Sequence, residues 1–197
     1  MRGRRSITLR HASGQALLET ILLMPLILLL VLNVINFGYF FVVALNLAVS
    51  PRSGVEYSIL GFATPSSLSL PVAGPPSTAT TVSHLSQQDL TGAISAPTGA
   101  TIQVCSSTVG VSVSGAALCV SCTGSSCGAA GAGSPAPDLD PEAPNFVLHR
   151  VDVGYTFSPP IPGTPFGLAL LPISVCSSSG GTVTCTFHRQ VSMRAMN

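Results

Sequence analysis

The chain has 197 residues, 46% of them hydrophobic and only 8% charged, against about 25% charged in ordinary soluble domains. All eight basic residues are Arg, there is no Lys, seven acids leave a formal charge of +1, and the mean hydropathy is +0.56. Such a chain lacks the basic surface of a nucleic-acid binder, is too apolar for charge-driven disorder, and points to a membrane-linked protein.

The charge and the hydrophobicity are separated along the chain. Residues 1–14 form a basic leader with Arg2, Arg4, Arg5 and Arg10 and no acid. From 15 to 50 the only charged side chain is Glu19, and between Ile21 and Leu45 only Pro25, Asn33, Asn36 and Gly38 interrupt apolar residues. About 20 such residues cross a bilayer, so 15–50 is predicted as one transmembrane helix. A cleaved secretory signal fits less well, because its apolar core is only about 7–15 residues long. The basic head predicts a cytoplasmic N-terminus and an extracytoplasmic remainder. Tyr39 is a candidate interface anchor. Pro25 removes one helix hydrogen bond and predicts a kink. Asn33 and Asn36 are three apart and share a face, so their amides are candidates for helix–helix contact or for bonds to their own backbone.

Beyond residue 50 the composition changes: this part holds 16 of the 19 Gly and 15 of the 16 Pro. Residues 51–82 read as a short helix continuation to about Leu60, then a Pro/Ser/Thr-rich linker over Thr64–Thr81. Residues 83–197 read as a β-rich unit. It opens with a brief helix over Ser83–Ala93, capped by Ser83 or Ser86. Ala100–Val104 and Val109–Val113 alternate as two short strands. Residues 124–145 are Gly/Ala/Pro-rich and predict a flexible loop. Val147, His149, Val151, Val153, Tyr155 and Phe157 then fall on one face of a strand. A second alternation runs from Thr182 to Met193, and Gly180-Gly181 between it and Ile173–Ser179 predicts a hairpin turn.

Six cysteines outside the membrane predict disulfides. Across the Gly180-Gly181 turn, Cys176 and Cys185 face each other in a pair of suitable spacing. The partners of Cys105, Cys119, Cys122 and Cys127 are not fixed by the sequence. Cys119-x-x-Cys122 has no second C-x-x-C for a zinc site and no following helix to activate a thiol. Asp138, Asp140 and Glu142 lack the Gly and later Glu of an EF-hand. His149-Arg150 and His188-Arg189 lie on candidate strands without an identifiable nucleophile. No cofactor, metal, small-molecule substrate or catalytic residue is expected, and the fold class is α+β: a long N-terminal transmembrane helix followed by a mostly antiparallel sheet domain. A periplasmic Cys-dependent redox or metal enzyme is the alternative that the cysteines leave open.

Ser13-Gly14-Gln15-Ala16-Leu17-Leu18-Glu19, behind an Arg-rich leader, resembles a prepilin processing site. The apolar run from Pro25, then Phe37-Gly38 and Arg52-Ser53-Gly54, is similar to the TadE-like pseudopilins of tight-adherence (Flp) pili. Val151-Asp152-Val153-Gly154-Tyr155-Thr156-Phe157-Ser158-Pro159-Pro160-Ile161-Pro162 and the ending Val191-Ser192-Met193-Arg194 resemble the family's closing segments. The family often has Glu at Asn36 and Arg at Tyr39 and Glu56. The resemblance covers 13–60 well and 147–194 loosely. It implies cleavage after Gly14 by a prepilin peptidase, Gln15 as the new N-terminus and Glu19 as mature residue five. It also implies a structural role in pilus assembly at the inner membrane, with the pilus platform, other pilins and pseudopilins, and the bilayer as partners. An unprocessed, membrane-anchored binding domain unrelated to pili is the competing expectation.

Overall fold

The structure is a computed structural model that describes residues 12–60, 72–91, 94, 99–110, 117–133, 145–161, 176–179 and 182–195. Helix α1 spans Ala12–Ser58, 47 residues or about 70 Å. Its apolar residues run all round the first half, so composition alone sets no face there. In the second half the pattern resolves into a stripe. Asn36, Val43, Leu47, Ser50, Val55 and Ser58 are buried at spacings that keep them on one side. Both Pro25 and Pro51 lie inside the helix.

The connector after α1 leads into α2, Val82–Leu90. Thr81 caps it: its backbone is extended and its hydroxyl accepts the His84 N–H at 3.2 Å. The expected caps, Ser83 and Ser86, are instead buried helical residues. Thr81 outcompetes them because its one hydroxyl proton is shared between the carbonyls of Pro75 and Thr78, at 3.0 and 2.9 Å, which orders the turn ahead of the helix. Helix α2 packs on α1, where Ser50 Oγ donates to Ser86 O at 2.6 Å. Gly54 permits the approach, since a Cβ there would overlap Ser86 Oγ.

The strands are β1 (Thr101–Gly110), β2 (Ala117–Thr123), β3 (Ser126–Cys127), β4 (Gly131–Gly133), β5 (Asn145–Phe157), β6 (Cys176–Ser179) and β7 (Thr182–Arg194). They form one sheet in the order β3-β2-β1-β5-β7-β6, with β4 also on β2, and the described pairings are antiparallel. The α+β class expected from the sequence is therefore the observed one. One sheet face packs on α1 and α2. Ile102, Val104, Val151, Val153 and Phe157 meet Val43, Leu47, Val55, Val82 and Leu90 there.

Two expectations change. The two short strands around Cys105–Thr108 are one strand up to Gly110, and Val111–Val113 lie outside the described residues. The polar run looked like a break, but Cys105 is in a disulfide and Ser106 bonds His149. The expected loop 124–145 contributes β3 and β4 along β2. Small residues carry no alternation, so backbone pairing there left no pattern to read. Residues 134–144, including Asp138, Asp140 and Glu142, lie outside the described residues.

All six cysteines are paired, as Cys105–Cys119, Cys122–Cys127 and Cys176–Cys185. Each bridge joins residues directly opposite in the ladder. Cys119 and Cys122 are three apart on a strand and so face opposite ways. They bond different neighbours rather than each other. The register Ser179↔Thr182 fits the expected hairpin, while Gly180-Gly181 itself lies outside the described residues.

Candidate membrane-insertion and processing site

The N-terminal half of α1 is apolar and uncovered. Leu17, Leu22, Met24 and Val34 are 62–70% exposed, and the helix is long and apolar enough to be a candidate membrane span. So continuous an apolar surface is far larger than water-soluble monomers leave bare. The stretch from Leu17 to Ile35 is about 28 Å long, close to the hydrocarbon thickness of a bilayer.

Gly14 and Glu19 lie on this part of α1, and both are exposed. Nothing approaches within 4 Å of a Cβ built on Gly14. Gln15 is helical as well. Glu19 follows Gln15 by four residues and lies one turn above it on the same side. The Arg-rich leader up to residue 11 is outside the described residues.

Asn33 and Asn36 divide the two alternatives offered by their spacing. Asn33 Nδ2 donates to Leu29 O at 2.8 Å, inside its own helix. Asn36 reaches 125 residues away: its Nδ2 donates to Ile161 O at 3.0 Å, and its Oδ1 accepts the Ile161 N–H at 3.1 Å. The amide thus pairs with Ile161 as a neighbouring strand would. It ties the segment after β5 to the point where α1 becomes covered. Ile161 belongs to the strand-then-proline segment, but its contact with Asn36 leaves no mark in the sequence because it uses only the Ile161 backbone. Pro25 lies in the uncovered half.

Just above Asn36 an aromatic cluster seats the helix. Tyr39 and Phe40 each lie 5.7 Å from Phe157, the Phe40 pair edge-on, and Phe40 is 5.4 Å from Phe187. Tyr39, a candidate interface anchor, packs on Phe157 of the domain. The opposite side of α1 keeps Phe41, Leu45 and Val49 exposed. It ends in the exposed Arg52–Glu56 ion pair at 2.9 Å.

Higher in the domain His149 is buried at 1% exposure, with Nδ1 2.8 Å from Ser106 Oγ. Its Nε2 has no hydrogen-bond partner among the described residues. Burial pushes its pKa below the ordinary imidazole value. On the outer sheet face a cleft of about 190 Å³ is lined by Thr101, Gln103, Ser121, Asp152, Gly154 and His188. His188 Nδ1 stands 3.8 Å from Asp152 Oδ1. The His188 ring lies over Gly154, where a Cβ would come within 2.9 Å of it. Among the described residues no group of three or more His, Cys, Asp or Glu side chains is placed to hold a metal.

No family model matches this chain, and no curated protein or solved structure matches it.

Proposed function

We propose that this protein is a membrane-anchored pseudopilin of the TadE-like kind, a structural component that assists assembly of a tight-adherence pilus. The observation that supports this reading best is the division of α1. Its first half is apolar and bare, while its second half is the spine of a disulfide-stapled sheet domain. Such a helix is suited to storage in a bilayer and to later packing among other helices. The site at its lower end fits the same reading. A prepilin peptidase cuts after Gly14, which removes the Arg leader and frees the α-amino group of Gln15. The Glu19 carboxylate of one chain then pairs with the new ammonium of a neighbour, offsetting the cost of placing either charge in an apolar setting. The N-terminus faces the cytoplasm and the sheet domain the periplasm, where disulfides persist. The partners are the peptidase, the pilus platform, other pilins and pseudopilins, and the inner-membrane lipids.

Intact-mass measurement of the membrane-extracted protein tests this in cells with and without the peptidase. The expected result is loss of residues 1–14 only when the peptidase is present, and its abolition by Gly14→Leu. An intact Met1 end in both cells, with stable membrane retention, establishes the unprocessed anchored domain instead.

A further inference from the structure

The face of the sheet turned away from the helices carries Asp152, on β5. Its row holds Gln103 of β1 and Gln190 of β7, directly opposite on either side. The next row holds Thr101, Gly154 and His188. Gly154 has no side chain to fill its place, so the His188 ring leans over it. Nδ1 of that ring stands 3.8 Å from Asp152 Oδ1, and the cleft of about 190 Å³ takes in residues of both rows.

The Asp152 side chain is only 26% exposed, and its Oδ1 is buried with no hydrogen-bond partner among the described residues. A buried carboxylate oxygen without a donor is costly. His188 does not relieve it, because 3.8 Å is too long for a hydrogen bond. Arginine does not relieve it either. The chain has no Lys, and past residue 50 its Arg side chains are Arg52, Arg150, Arg189 and Arg194. Arg52 pairs with Glu56, Arg150 reaches Cys105 Sγ, Arg189 donates to His188 O, and Arg194 lies over Phe146. The stretches after residue 60 that lie outside the described residues contain no Arg and no Lys. The domain therefore has no cation of its own left for this carboxylate. Gln103 adds a further acceptor: its Nε2 donates to Ser121 Oγ at 3.3 Å, which leaves its Oε1 to accept.

We infer that this cleft binds an alkyl chain ending in an ammonium or a guanidinium, as carried by a basic side chain of another protein or by a free polyamine. Asp152 supplies the countercharge, and His188 Nδ1 and Gln103 Oε1 accept further N–H bonds. The spacing fits an N–H donor better than a metal ion. One nitrogen donating bonds of about 2.8 Å to both Asp152 Oδ1 and His188 Nδ1 spans their separation without moving either. A tetrahedral metal with bonds of about 2.0–2.1 Å holds its ligands about 3.4 Å apart, and an octahedral one holds them closer. The volume points the same way. The cleft has several times the roughly 30 Å³ share of one water, so it takes a stem as well as a charged head. None of this depends on whether the chain is cut after Gly14.

NMR titration of the full chain in lipid nanodiscs, at fixed ionic strength, tests the site. The cationic probes are the Nα-acetyl methylamides of lysine and arginine, and cadaverine. The same derivative of citrulline is the uncharged isostere of the arginine probe. Saturable shifts are expected at Gln103, Asp152, Gly154 and His188 with the cations and not with citrulline. Shifts with the blocked amino acids assign the cleft to a basic side chain, and shifts with cadaverine alone assign it to a free polyamine. Asp152→Asn keeps the shape and removes the charge, so affinity falls by at least about tenfold while the thermal transition is kept. Gly154→Ala displaces the His188 ring and also weakens binding, which keeps the test open if Asp152→Asn does not fold. Four results overturn the proposal. Citrulline binds as tightly as arginine. Asp152→Asn, folded, binds the cations as tightly as the parent. Calcium or zinc ions shift these residues and the organic cations do not. No probe gives a saturable shift.

Discussion

Replacing Asn36 with Ala tests whether the sheet domain is tied to the helix where it becomes covered. Among the described residues, the change removes the two hydrogen bonds to the backbone of Ile161, at 3.0 and 3.1 Å. Each bond contributes about 0.5–1.5 kcal/mol net, and the Ile161 N–H and C=O left behind must find other partners. The expected loss is about 2 kcal/mol of domain stability. Asn33→Ala is the internal control. It removes one bond within a helix, and Leu29 O keeps its helical setting; its cost is expected at about 0.5 kcal/mol or less. Asn36→Asp retains an acceptor for the Ile161 N–H but not the donor, and falls between. The assay is urea unfolding of the full chain in detergent micelles, followed by far-ultraviolet circular dichroism because the chain has no Trp. If Asn36→Ala and Asn33→Ala unfold at the same urea concentration, Asn36 does not clamp the domain and the reasoning fails.

Four further outcomes are expected. Gly54→Val drives side-chain atoms into Ser86 and toward Val82, at about 1–3 kcal/mol, whereas Gly154→Ala displaces only the exposed His188 ring and changes the melting temperature little; equal shifts in thermal melts refute the packing argument. Because the folded state holds His149 below its ordinary pKa, stability is full above about pH 6.5 and falls as pH drops toward the lowered value. His149→Phe flattens that slope, and a parent slope unchanged in the variant refutes the assignment. Replacing cysteine pairs with Ser weakens the domain in order of loop length: separations of 14, 9 and 5 residues correspond to about 3, 2.6 and 2 kcal/mol, read by urea midpoints of the three double variants. Glu19→Gln keeps cleavage after Gly14 but lowers recovery of the protein in sheared pilus fractions, measured by immunoblot; undiminished recovery removes the proposed carboxylate–ammonium pairing.

Much of the architecture was legible where side chains alternate or cluster by type. The strand from Val147 to Phe157 shows its buried face residue by residue, and the Cys176–Cys185 bridge followed from a two-residue turn. Partners for Cys105 and Cys122 were not legible, because they depend on the registers of β1 with β2 and of β2 with β3. Those registers pair Thr101–Ser106 with Leu118–Thr123 and Cys122-Thr123 with Ser126-Cys127, and a one-residue slip of the pairing would move every side chain to the other face without changing the composition. Thr81 was passed over as a cap because two serines follow it closely, and only the turn carbonyls of Pro75 and Thr78 distinguish it. Of the site, Gly14 and Glu19 were read from a motif. The role of Asn36 was not, since its partner is a main-chain group 125 residues away.

Hydropathy treats residues 17–58 as one apolar helix, yet the two halves answer to different surroundings. Below Asn36 apolar side chains point in every direction, so what they need is an apolar medium, and the domain supplies none. Above Asn36 the buried positions include Ser50 and Ser58 as well as Val43, Leu47 and Val55. Small polar residues are tolerated there because Ser50 has Ser86 O and Ser58 has Val55 O as acceptors. A polar substitution therefore has opposite consequences at Val34 and at Val43. At Val34, which is 70% exposed, it leaves domain folding alone. At Val43 it buries an unpaired polar group beside the sheet and unfolds the domain without altering membrane partition. The change from exposed to buried side chains falls within a turn of Asn36, which puts the clamp on Ile161 where the sheet domain begins to cover the helix.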